Sequence, residues 1–349
     1  MSDMLVRKKR VPWGHLVLFG WMPSLLKVVT YRLVLGYKIG KGVKIAFGGV
    51  VVGREVSLGD HVEIGFLAVV TGRHISIGRH SSVGTMSYVA CERIEIGEDA
   101  RIREQVYVGG PQLPESRFAL GSRTIVLQMA FINPTKPVVI GDDTGIGGHC
   151  LIFTHSAWLN VLDGYPVSYQ GVTLGNSVWL PWRVFIMPGT TIGDGTVIGA
   201  NSLVQGTIPA QSLAVGSPAK VIRGPDWPAA LAPEDRAAKI GEMMSEFDRY
   251  VEYDGITQSE EPPFKVYRRG SSTWRLAWLP AGGAPPDSLR AGDTVLSEEA
   301  LGESRRSALR SAGIDWLDLG GKSRSRGGSP LTEELHTFFG RYGIRLIRD

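Results

Sequence analysis

The chain has 349 residues, 43% of them hydrophobic and 21% charged, with 45 glycines and two cysteines. That length suggests about two domains. A net charge of +4, with no dense Lys/Arg stripe interleaved with aromatics, argues against a nucleic-acid partner. Cys91 and Cys150 have no metal-type spacing and make no disulfide framework, so a reducing, cytoplasmic setting is expected.

The chain opens on the basic segment MSDMLVRKKR and continues into VPWGHLVLFGWMPSLLKVVTYRLVL. No small-residue cleavage site follows, which argues against a signal peptide. A spanning helix needs about 20 apolar residues, and His15, Pro23, Lys27 and Arg32 interrupt this run. Two short helices are predicted instead, roughly 13–21 and 24–34, forming a cap over 1–38. Two roles suit it. The cap packs on the end of the next domain, or it rests on an anionic membrane surface through Arg7, Lys8, Lys9 and Arg10 with exposed Trp13, Phe19 and Trp21.

Between residues 39 and 208, within a domain expected over 39–224, an aliphatic residue, commonly followed by Gly, recurs about every six positions. Leu174, Leu180, Ile186, Ile192, Ile198 and Val204 keep a strict step. Ile140, Ile146 and Ile152 form another run, and Val52, Leu58 and Ile64 an earlier one. Four residues after each aliphatic stands a small or β-branched one, such as Ser81, Thr144, Cys150, Thr196 or Ser202. A period of six fits a short strand and a tight turn, three of which close one triangular coil. Glycines at the turns are expected to supply backbone conformations closed to β-branched residues. Stacked coils bury a continuous core, as in other solenoids.

Two stretches leave the rhythm, 109–138 and 157–172, and a loop leaving a flat-sided solenoid is where a cleft is walled. The second follows His155 in FTHSAW directly. A neutral imidazole near pH 7 takes a proton from an attacking hydroxyl or amine. Asp163 in the loop, Asp142 and Asp143 in the preceding turn, or a backbone carbonyl are candidates to orient it. His61, His74, His80 and His149 sit at turn-like, surface positions, and His149 is a weaker candidate for a substrate contact.

After Arg223 the repeat ends. Residues 225–255 contain a predicted connecting helix, with Pro233 near its start and Ile240, Met243, Met244, Phe247 and Val251 on one face. Residues 256–349 read as strands and helices of a small α+β domain, with GGKSRSRGGS as a flexible basic loop and no catalytic motif.

The hexad pattern over about 36–224, closed by GSPAKVIR, resembles the hexapeptide-repeat acyltransferases, and the closing coils resemble the sugar and xenobiotic O-acetyltransferases among them. The resemblance implies a left-handed parallel β-helix, acetyl-CoA or another acyl-CoA as co-substrate, a homotrimer, active sites between subunits, and no metal. It assigns the general-base role to His155, which stands where the family's histidine stands beside its protruding loop. Gly199, Ala200, Ala214 and Gly216 would let the pantetheine arm lie against backbone, Trp182 would wall it, and Lys220 and Arg223 would meet its phosphates. Asn133, His149, Trp158, Asp163 and Tyr165 are candidates to line the acceptor site. The expected reaction is O-acetylation of a saccharide or related metabolite. N-acetylation of an amino sugar is the near alternative, and a non-catalytic scaffold a further one. The γ-class carbonic anhydrases share the fold but need three zinc-bound histidines, and no such close set is evident in the sequence.

Overall fold

A computed structural model describes residues 12–349, so Arg7, Lys8, Lys9 and Arg10 lie outside the described residues. The chain divides into two compact units, residues 1–229 and 230–349.

The first unit has the triangular coils expected from the period and is the left-handed parallel β-helix that the resemblance implies. Short strands stack coil on coil into three faces. The first runs from Lys38–Ile39 to Thr207–Ile208, the second from Lys44–Ile45 to Leu213–Gly216, the third from Val50–Val52 to Leu203–Val204. Pairing along each face is parallel and in register, as in Ile94↔Ile75 and Ile152↔Ile186. The aliphatic residues of the repeat point inward: Leu174, Leu180, Ile186, Ile192, Ile198 and Val204 are all at most 1% exposed. Each such burial contributes roughly 1.5–3 kcal/mol. The small residues four positions later are equally buried, and their hydroxyls tie coils together. Thr144 Oγ1 donates to Gly175 O and accepts from Val178 N; Ser81 Oγ donates to Gly97 O and accepts from Ala100 N.

The expectation for the turn glycines holds at Gly42, Gly48, Gly189, Gly195 and Gly206, which have positive φ, but not for most of the repeat's glycines. The left-handed turn positions are mostly held by other residues, including His61, Met86, Asp143, His149 and Asn201. The recurring glycines sit where consecutive coils touch. A Cβ on Gly147 would lie 2.4 Å from the Pro181 carbonyl carbon, and one on Gly84 2.5 Å from that of Arg103. Steric closeness between coils, more than positive φ, selects glycine there.

The departure expected over 109–138 is largely regular. Arg117–Leu120, Ile125–Val126 and Phe131–Asn133 are strands of the three faces, and Phe118, Leu120, Val126 and Ile132 fill the core. Only the short segment before Arg117 bulges outward. The departure after His155 is a true arm. Its root strands His155–Ser156 and Ser168–Tyr169 pair antiparallel, and its tip carries a 3₁₀ turn, Val161–Asp163, capped by Asn160 and closed by Gly164.

Two helices cap the first coils: α1 (Trp13–Phe19) and α2 (Ser24–Leu33). Trp13 and Trp21 are exposed as expected, but Phe19 is buried, edge-on to Tyr31 at 5.6 Å. No helix among the described residues is long and apolar enough to cross a membrane.

The second unit is a seven-stranded mixed sheet in sequence order, from Thr257–Glu261 to Ile347–Arg348. Alternation divides its strands between two cores. Leu276, Leu296 and Leu317 meet α3 (Pro233–Tyr253) and α5 (Pro330–Gly340), which lies later in the chain. Ala277, Val295 and Trp316 pack with Leu309 of α4 (Glu303–Ser311). The helix expected to connect the two domains thus belongs to this core. The segment expected as a flexible basic loop contains a strand, Ser323–Arg324, in which Arg324 is buried and donates to Glu333 Oε1 at 2.6 Å.

Candidate active site

All the larger insertions of the first unit leave the corner between its third and first faces. There the segments around Ser116, Thr135 and Thr154 stack on one another. Ser116 Oγ donates to Thr135 O at 3.0 Å, Lys136 N to Thr154 Oγ1 at 3.0 Å, and Thr154 Oγ1 to Asn133 O at 2.7 Å. Lys136 also pairs with Glu115. This stitched corner fixes the root of the arm, and His155 is the first residue of that root.

The His155 ring is half-buried. It stacks on Tyr169 across the root strands, with centroids 5.8 Å apart and planes 16° from parallel, and meets Phe153 edge-on at 6.3 Å. Its Nδ1 is buried and finds no hydrogen-bond partner among the described residues. A buried polar atom left unpaired costs about 1–3 kcal/mol, so this nitrogen is a point where a further group would be accepted.

The carboxylates proposed to orient His155 are placed elsewhere. Asp142 and Asp143 pair with Arg123, at 3.3 and 2.8 Å. Asp163 lies in the exposed tip turn with Trp158 (96% exposed) and Tyr165. These three lie on the arm, and among the described residues no hydrogen bond, ion pair or ring contact joins them to His155. Asn133 is brought to the same corner but is 6% exposed, with Oδ1 accepting from Thr135 N and Oγ1. Its carbonyl holds its own turn, so it is not presented as an open acceptor contact. His149 stands on a different corner: it precedes the strand Leu151–Phe153, while His155 follows it.

The corner that holds His149 also gathers most of the expected CoA contacts. The His149 ring lies 5.8 Å from that of Trp182, which covers Gly148, where a Cβ would come within 2.4 Å of the indole. Asn201 N donates to Trp182 O, placing exposed Ala200 one coil further on beside Gly199. Gly216, with φ 102°, ends the last strand of the second face and donates its N–H to Ser202 Oγ. Lys220 and Arg223 are exposed on the hairpin strand Ala219–Arg223. Ala214 departs from expectation. It is fully buried and its carbonyl accepts from Gly199 N at 2.8 Å, so it is a core residue and lines no groove. The corner gathers small residues beside an indole, with Lys220 on the hairpin next to Gly216, while Arg223 lies opposite Leu213 at the other end of that strand.

Neither cysteine is a nucleophile. Burial pushes the Cys91 thiol up to about 12 and that of Cys150 to about 11, and Cys150 Sγ donates to Pro181 O.

One feature of the site escaped the sequence reading. Tyr88, Tyr107 and Phe131 stack at 5.0–5.3 Å down the outside of the third face, and the column continues through Phe153 to Phe185. Its signal was an aromatic immediately before the inward aliphatic, repeated on the third face: Tyr88-Val89, Tyr107-Val108, Phe131-Ile132, Phe185-Ile186.

No family profile matches the chain. Among curated proteins it is 29% identical over 142 residues to a probable acetyltransferase, Rv3034c, of Mycobacterium tuberculosis, a match over 39% of this chain and 46% of that protein. It is 38% identical over 99 residues to a putative lipopolysaccharide biosynthesis O-acetyl transferase, WbbJ, of Escherichia coli, covering 25% and 50%. It is 35% identical over 120 residues to the galactoside O-acetyltransferase of the same organism, covering 32% and 58%. The chain spans about half the length of the curated relatives it matches.

Proposed function

From a β-helix that belongs to the hexapeptide-repeat acyltransferase superfamily, we propose that this chain is an acetyl-CoA-dependent O-acetyltransferase acting on a hydroxyl of a saccharide or related metabolite. The observation that carries the reading is His155: an imidazole at the rigid root of the only long arm among the described residues of the solenoid, held by Tyr169, with an unpartnered buried nitrogen.

The roles follow from the chain's own groups. Acetyl-CoA supplies an activated acyl carbonyl and a thiolate leaving group. His155 accepts the proton of the acceptor hydroxyl as its oxygen bonds to the acyl carbon. When the tetrahedral adduct collapses and the carbon–sulfur bond breaks, the imidazolium returns that proton to the departing thiolate. Trp182, Gly199, Ala200 and Gly216 hold the pantetheine arm, and Lys220 and Arg223 meet the phosphates. Trp158, Asp163 and Tyr165 on the arm tip face the acceptor.

The two halves of this machinery flank the third face, with His155 at one edge and the Trp182–Ala200 corner at the other. The strand Leu151–Phe153 and its turns lie between them, roughly 20 Å of extended chain. That separation supports a homotrimer in which His155 of one protomer works beside the CoA corner of its partner. The apolar arm, exposed on the single chain at Trp158 and Leu162, supports the same assembly. O-transfer is favoured over N-transfer because two relatives are named for O-acetyl transfer.

Calorimetric titration with acetyl-CoA, free CoA and a longer acyl-CoA tests the donor. Saturable binding near one site per chain supports the reading; a folded protein that binds no thioester overturns it.

A further inference from the structure

Helix α2 is inside out. Its Lys27 side chain is fully buried under the first coil, donating to Ala46 O at 2.6 Å and Gly49 O at 3.0 Å. Its other cation, Arg32, folds back to donate to Ile39 O and Gly40 O. Its leucines face outward, Leu25 78% exposed and Leu33 80%, with Val34 beside them, while Val28 and Tyr31 turn inward with Lys27. Trp13, Val17 and Trp21 extend this surface over α1. A helix facing water buries its leucines and exposes its lysine. Here the solenoid's end carbonyls take both cations, and the outer surface is left apolar.

The stretch of sequence that carries this surface is biased to one sign of charge. Between Asp3 and Glu55 the chain carries ten Lys and Arg and no Asp or Glu, although the whole chain has 38 bases to 34 acids. Arg7, Lys8, Lys9 and Arg10 stand just before Trp13 in the sequence.

We propose that the outer face of α1 and α2 docks on an anionic lipid bilayer. The leucines and tryptophans enter the headgroup boundary and the basic N-terminal segment lies against the lipid phosphates. A cluster of four bases directly before an apolar face suits an anionic membrane, which attracts the one and takes in the other. Each basic residue near such a surface strengthens partitioning roughly fivefold, and two short helices alone hold weakly, so both features act together.

Co-sedimentation of the full chain with phosphatidylglycerol–phosphatidylcholine vesicles, beside phosphatidylcholine alone, tests this. The expected result is binding to the anionic vesicles that weakens with salt. It falls about tenfold or more in Leu25→Gln/Leu33→Gln and also in Arg7→Gln/Lys8→Gln/Lys9→Gln/Arg10→Gln. The two leucines are exposed, so the melting curve should be unchanged. Absence of binding by the folded chain overturns the proposal. Binding indifferent to the leucine change also overturns it, because charge alone then suffices. A loss of self-association in that variant, read by sedimentation equilibrium, assigns the face to a second copy instead.

Discussion

His155 and Tyr169 face each other across the two strands that root the arm, their rings 5.8 Å apart and 16° from parallel. With His155 as the proposed base, the pairing assigns Tyr169 a positioning role, holding the plane of the imidazole. Tyr169→Ala should lower kcat by about tenfold with little change in the KM for acetyl-CoA, since a small misplacement of a base is costly. Tyr169→Phe, which keeps the ring, should restore most of the rate. Steady-state kinetics of the two variants separate stacking from the hydroxyl.

The buried thiols exclude a covalent acyl-cysteine route. With Cys91 and Cys150 raised to about 12 and about 11, neither offers an appreciable thiolate at neutral pH. Thiol reagents should leave the folded enzyme active, and Cys150→Ala should retain its turnover while losing about 1–2 kcal/mol of stability through a small cavity. Activity after exhaustive alkylation, and a denaturant melt of the variant, check both.

The cations of the closing hairpin should act on affinity alone. Lys220→Ala and Arg223→Ala are expected to weaken CoA binding by about threefold to tenfold each, an effect that shrinks as salt rises. Trp182→Ala should weaken it further by removing the wall of the corner. Calorimetry with CoA at two ionic strengths distinguishes the charged contribution from the apolar one.

Lys27 gives a pH signature. Burial lowers its pKa below the ordinary 10.5, so between the lowered value and 10.5 the unfolded chain binds more protons than the folded one. Stability from this group therefore rises with pH through that window and is lowest below it. Lys27→Met should abolish that rise, and at neutral pH should cost about 1–3 kcal/mol, because Ala46 O and Gly49 O lose their donor. Denaturant melts of both proteins between neutral and alkaline pH measure it.

The coil architecture was legible because its cause is periodic: an inward side chain at each step meets its equivalent one coil away. Leu120, Val126 and Ile132 obey the same step. They were read as a loop because the bulge before Arg117 shifts the phase, and a period cannot be followed across an insertion of unknown length. His155 was legible as the point where a rhythm stops. Its surroundings were not. Tyr169 reaches it from the far side of the arm, through a strand pairing that no local pattern encodes. Ala214 looked like a groove residue because smallness serves a groove and a crowded core alike. Arg324 in the second unit was read as solvated because its partner Glu333 comes from a later helix. Lys27 was read merely as an interruption of an apolar run. That it faces inward depends on the open carbonyls of the first coil, which only the assembled solenoid provides.

The most direct test of His155 as the base is release of free CoA from acetyl-CoA in the presence of a panel of hydroxylated saccharides, comparing the wild type with His155→Ala. The account predicts acceptor-dependent turnover in the wild type, a fall of about a hundredfold or more in the variant, and unchanged acetyl-CoA binding in both. Turnover in His155→Ala equal to that of the wild type would contradict it.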